Sequence, residues 1–136
     1  MSQTLPSPCL LTQWGTTGVS GASLDLFDSP RGVVFDSDDN SLFIAEYDNR
    51  RIKCINTLTG KTRVIVVDGL PLAIALARGR DELYISLGGN GHCVLVVDKK
   101  RGNVVRTIGK KGVQGVGKGE LSLPKGRMGY SIVITN

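Results

Sequence analysis

Residues 30–55, PRGVVFDSDDNSLFIAEYDNRRIKCI, constrain the fold more than any other stretch. The apolar run Val33-Val34-Phe35 is cut by an Asp-rich turn. A second run, Leu42-Phe43-Ile44-Ala45, is cut by Asp48-Asn49, and a third opens on Arg50-Arg51-Ile52. Runs this short have the length of strands and are too short for packed helices. Asp and Asn tolerate positive φ and hydrogen-bond their own backbone, so both interruptions read as tight hairpins. Three antiparallel strands follow.

The pattern repeats. Shifted by 94, residues 14–32 lie on 108–126, so that Gly15, Gly18, Val19, Gly21, Pro30 and Gly32 meet Gly109, Gly112, Val113, Gly115, Pro124 and Gly126. Shifted by 41, Pro30 meets Pro71 and Leu42-Phe43-Ile44-Ala45 meets Leu83-Tyr84-Ile85-Ser86. One inserted residue then brings Gly60 onto Gly102. A unit of this length is that of a four-stranded blade. Strands are expected over 32–36, 41–47, 51–57 and 61–67, and again over 72–77, 82–87, 93–98 and 104–109. A further outer strand is expected over 10–14. Runs such as Leu72-Ala73-Ile74-Ala75-Leu76 and Val94-Leu95-Val96-Val97 do not alternate with polar residues, as in strands covered on both faces. Without a convincing helical segment, the cover must be other sheets, which means radially stacked blades. The fold class is therefore all-β, with the Gly-rich stretches 15–29 and 109–123 carrying the chain between blades.

Pro-x-Gly-Val-Val-x-Asp, then Asp-x-x-Leu-Phe-Ile-Ala-Glu, then Asp-Asn-Arg-Arg-Ile resembles the NHL repeat, one blade of an NHL-type β-propeller. The resemblance spans about 14–126 and is strongest over 26–56. It implies four-stranded antiparallel blades, six to a ring. The second unit departs from it: Gly88-Gly89-Asn90-Gly91-His92 stands against Tyr47-Asp48-Asn49-Arg50-Arg51, and Ala73 against the Gly after Pro. The expected organisation is a tail over 1–13, blades over 26–67 and 68–109, and a partial blade over 120–136. An open arc of that size leaves blade faces and edges bare. We therefore expect a truncated or fragmentary propeller rather than copies that complete one another, with self-association through open blade edges. The apolar run Ile132-Val133-Ile134 adds an aggregation-prone edge.

Motifs that could carry chemistry fall short of it. GVQGVGKG (112–119) follows a phosphate-binding loop until Gly119, where a hydroxyl belongs. Asp36-Ser37-Asp38-Asp39-Asn40 opens like a calcium loop, but Ser41 and Tyr47 stand at its sixth and twelfth positions, so a solvated hairpin is expected. His92 is the only histidine, and Cys9, Cys54 and Cys93 are widely spaced. No zinc site, disulfide framework or cofactor is expected. Cys54 and Cys93 read as core packing. The resemblance extends to zinc-dependent amidating lyases, whose histidine ligands this chain lacks.

Charge is uneven. Residues 1–98 hold eight basic and eleven acidic side chains, whereas 99–136 hold nine basic residues and Glu120. Blade geometry divides that basic tail. Lys99, Lys100 and Arg101 fall in a third–fourth-strand turn, on one face; Lys110, Lys111 and Lys118 fall in a connection on the other, beside Arg50. No stretch approaches the roughly 20 apolar residues of a membrane span, and no signal peptide is recognised, so an intracellular, cytoplasmic setting without membrane contact is expected. The expected function is a non-catalytic protein-interaction module. Its contact surface is the face of second–third turns and connections: Asp48, Asn49, Arg50, Gly89, Asn90, His92, Lys110, Lys111 and Lys118. A protein is the expected partner. RNA binding through the basic loops is the alternative, and a fragment of a propeller lyase or lactonase the third.

Overall fold

The computed structural model describes residues 12–77 and 79–110. Eight strands follow one another: β1 (Pro30–Asp36), β2 (Ser41–Glu46), β3 (Arg51–Asn56), β4 (Thr62–Val66), β5 (Leu70–Leu76), β6 (Glu82–Gly88), β7 (Cys93–Asp98) and β8 (Val104–Gly109). They form two four-stranded antiparallel sheets in the orders β1-β2-β3-β4 and β5-β6-β7-β8. This is the all-β class of four-stranded antiparallel blades expected, and no helix occurs among the described residues. Of the outer strand expected over 10–14, the described part, 12–14, pairs with nothing as a strand. The partial blade over 120–136, the loop at 112–119, Cys9, Lys111 and Lys118 lie outside the described residues.

Both first strands start earlier than expected, and for the same reason. Pro30 pairs with Glu46 and Pro71 with Leu87, each across a bulge, before regular pairing resumes at Val33 and Ala73. Proline suits such a strand opening because no ladder donor is needed from it there.

Register assigns the side chains to faces. On blade one, Val34, Phe43, Ala45, Ile52, Cys54 and Ile65 share the back, while Val33, Phe35, Leu42, Ile44 and Ile55 share the front. The back of blade one packs on the front of blade two, whose Ile74, Leu83, Ile85, Leu87, Leu95 and Val97 complete one apolar cluster with it. Burying each large aliphatic side chain contributes about 1.5–3 kcal/mol, so this inter-blade layer dominates stability. The blades approach closely at Gly32, where a Cβ would lie 2.6 Å from the Leu72 carbonyl oxygen and 2.9 Å from the Ala73 Cα. Both faces of β7 are buried, as its non-alternating sequence requires. Blade one differs, because Val33, Phe35 and Val66 on its front stay exposed.

The hairpins carry the expected chemistry in part: Asn40 adopts φ of 52°, but in the second–third turns the left-handed residues are Arg50 and His92, also at 52°, rather than Asp48 or Asn49. Asn56 Oδ1 accepts from the amides of Leu58 and Thr59, and Asp98 Oδ1 likewise from Lys100 and Arg101, fixing the two third–fourth turns.

Candidate interaction face

The second–third turns of the two blades lie side by side. Tyr47 joins them: its ring edge faces Gly88, and its hydroxyl lies near Gly89, where a Cβ would be 3.8 Å away. Arg31 stacks over the Tyr47 ring at 4.8 Å, a cation–π contact. Asp48, Arg50, Gly89 and Asn90 are exposed around this pair, and Lys110 is exposed too. The Ser29 hydroxyl donates to the Asp48 carboxylate. Neither Arg31 nor Tyr47 was among the residues expected to form the surface, because the blade-to-blade contact that unites them is remote in sequence.

Two expected contact residues are differently placed. Asn49 is half-buried; its amide donates to the Gly21 carbonyl at 2.9 Å and to Glu46 Oε1 at 2.8 Å, so it holds the turn. His92 is buried at 6% exposure. Ungapped comparison sets His92 against Arg51, but its φ and its place just before the third strand match Arg50. The inserted residue of the second unit thus falls in this hairpin. His92 is the turn's left-handed residue and lies beneath the surface.

Under the face sits a polar network absent from the expected site. Glu46 is fully buried and receives Arg51 Nε at 2.6 Å and Nη2 at 3.2 Å, with Lys53 Nζ at 3.9 Å. Arg51 also donates to the carbonyls of Ala22, Ser23 and Leu26, and Lys53 to that of Leu26. Lys53 lies 3.8 Å from the Phe27 ring centroid. Burial pushes its ammonium below the usual lysine range, while Glu46 opposes that shift. One carboxylate therefore organises the side chains that strap residues 21–27 onto the blade front. The sequence holds a usable signal, since a Glu and an Arg flanking a four-residue turn must pair across it.

The opposite face corrects two expectations. Lys99 is buried at 7% exposure, with Nζ 2.5 Å from Asp36, 3.1 Å from Asp39 and 3.6 Å from Asp81. Its amide donates to the Asp81 carbonyl at 2.7 Å, and its carbonyl accepts from Arg63 at 2.5 Å. Burial works against its charge, but the hydrogen bonds to Asp36 and Asp39 prevail and raise its pKa. Asp36, 4% exposed, is opposed by burial too, yet its bonds to Lys99 and the Asp38 amide hold it below the ordinary carboxylate value. The Asp-rich turn is thus not wholly solvated, and Lys99 is a bolt between blades rather than part of a basic patch. The placement of Lys99 away from Arg50 agrees with the predicted division of the basic residues.

No family model and no curated protein matches the chain. Solved structures do. A hydrazine synthase from Kuenenia stuttgartiensis matches with a TM-score of 0.57 and 22% identity over 70% of this chain and 26% of that one. A Bacteroides thetaiotaomicron protein of unknown function matches at 0.57 and 18%, over 71% and 25%. A calcium-binding regucalcin from Agrobacterium tumefaciens matches at 0.52 and 13%, over 61% and 27%. A chain of a nidogen–laminin complex matches at 0.51 and 22%, over 57% and 29%. This chain spans between a quarter and three-tenths of the length of each. At these identities the likeness is one of fold: the described chain is an open segment of a β-propeller, two four-stranded blades stacked face to face.

Proposed function

We propose that this is a non-catalytic protein-interaction module built from NHL-type repeats, and that it binds a protein partner through the face of second–third turns. The observation that carries the reading is the composite surface at the blade junction. Arg31 on Tyr47, with Asp48, Arg50, Gly89 and Asn90 around it, offers an amphipathic centre and a polar rim. The Glu46 network beneath fixes the loops before binding, which lowers the ordering cost that association would otherwise incur. The nidogen–laminin complex supplies an analogy of fold.

The test places a photo-crosslinking residue at Asn90, with one at Thr59 on the opposite face as control, in extracts of the native source. A protein adduct specific to the Asn90 probe is expected, and Arg31→Glu with Arg50→Glu should remove it. Adducts of equal yield from both probes would refute the assignment. RNA adducts lost steeply between low and moderate salt would replace it with the nucleic-acid reading.

A further inference from the structure

The back of blade two is closed, yet no described strand lies over it. Register places Ala73, Ala75, Ser86, Val94 and Val96 on that face, and none is more than 8% exposed. Blade one packs on the opposite face of the same strands, through Ile74, Leu83, Ile85, Leu95 and Val97. The strap over 21–27 is bonded to the far side of blade one, to Asn49, Arg51 and Lys53. The closure stops at the outer strand. On the same face of β8, Ile108 is only half-buried and Arg106 is exposed. The seam between blades one and two shows the contrast. Ile65 holds the position on β4 that Ile108 holds on β8, and it is 4% exposed. The β7–β8 turn closes over it, where a Cβ on Gly102 would lie 3.3 Å away.

We propose that residues 111–136 cover the back of blade two, docking there as the strap and inner strands of a third unit. The extent of the cover selects this segment. Residues 124–136 suffice for two strands of about six residues, which would lie over β5 and β6. Residues 109–123 align with the strap 15–29, which on blade one is bonded to β3, so their counterpart strand is β7. Neither stretch reaches as far as a third–fourth turn, and Ile108, which needs one, is the residue left open. The repeat selects the same segment. Pro124 and Gly126 align with Pro30 and Gly32, and equally with Pro71 and Ala73. In the first seam Gly32 crosses Ala73; in the second Ala73 stands in the place of Gly32 and Gly126 in that of Ala73. Each crossing thus pairs one glycine with one alanine. Tyr130, Ile132, Val133 and Ile134 supply the apolar side chains that a neighbouring unit must bring. Residues 1–11 have no counterpart in the repeat and lead into blade one, at the other end of the stack.

Mild oxidation of the full chain carrying Ala73→Cys and Gly126→Cys, with Cys9→Ser, tests the docking. Two such Cβ atoms about 3.5–4.5 Å apart suit a disulfide. A link between positions 73 and 126 within one chain is expected, read by peptide mass spectrometry on the monomer fraction. Absence of the link, or a link only between chains, overturns the proposal. Val96→Cys gives a second readout, since cysteine already occupies the matching position 54 on blade one. Its thiol should react with a disulfide reagent about a hundredfold more slowly in the native full chain than in denaturant. Ile132→Asp with Ile134→Asp should speed that native reaction about tenfold, whereas Leu5→Asp with Leu10→Asp should leave it unchanged. Circular dichroism checks that both variants fold. The opposite order of effects would assign the cover to residues 1–11 and overturn the proposal, as would a thiol indifferent to both changes.

Discussion

Replacing Lys99 by methionine isolates the inter-blade bolt. Methionine fills much of the lysine stem and cannot pair, so the loss falls on the charge. Asp36, 6% exposed at its side chain, would keep backbone amide bonds, among them that of Asp38 at 3.0 Å, and lose the ammonium 2.5 Å away. Breaking a buried ion pair by removing one partner costs about 3–5 kcal/mol. The surviving amide bonds place the expected loss at the lower end, about 3 kcal/mol. Asp39 and Asp81 add little, since their side chains are 43% and 57% exposed and well screened.

The pH dependence gives the sign. In the parent, Asp36 has a depressed folded pKa, so its contribution is present above the unfolded carboxylate value and is lost as pH falls through the folded one. Lys99 has a raised folded pKa, so its contribution is present below the unfolded lysine value and fades only in strong alkali. Between these limits the pair is flat with pH. In Lys99→Met, burial acts on Asp36 without its counter-charge and raises its pKa. The variant then gains ground on the parent as pH drops toward about 4, where ordinary carboxylates protonate. Urea unfolding followed by far-ultraviolet circular dichroism at pH 7 and pH 4.5 measures both. Adding Asp36→Asn should recover part of the loss, because the orphaned charge is gone. A loss under about 1 kcal/mol at pH 7, or additive single and double variants, would refute the account.

Three further outcomes follow from other contacts. Gly32→Ala should destabilise by about 1–3 kcal/mol in urea melts, since its Cβ would meet backbone atoms of β5 that cannot yield. Glu46→Leu should leave Arg51 and Lys53 without their shared carboxylate, and hydrogen exchange should accelerate first in residues 21–27 before either blade opens. Cys54, whose thiol burial raises to about 11, should resist a disulfide reagent at pH 8 in the native chain and react at once in denaturant.

The strands were legible because each is a local event. Asp and Asn at positions 36–40 and 48–49 stop one run and reverse it, and the next run supplies its antiparallel partner within a dozen residues. Burial on both faces of β7 was legible for a similar reason, since Val94-Leu95-Val96-Val97 leaves no face for water. What could not be read are the contacts made between blades. Lys99 reaches Asp36 across 63 positions, Arg51 reaches the Ala22 carbonyl across 29, and Tyr47 meets Gly88. Composition marks each of these cations as one more surface charge. Nothing in Lys99-Lys100-Arg101 distinguishes the buried first member from the exposed other two; that follows from which turn of the next blade faces it. A repeat sequence thus discloses its unit well and its seams poorly. In this chain the seams hold the buried charges, and the composite face of Arg31, Tyr47 and Gly89 exists only where two units meet.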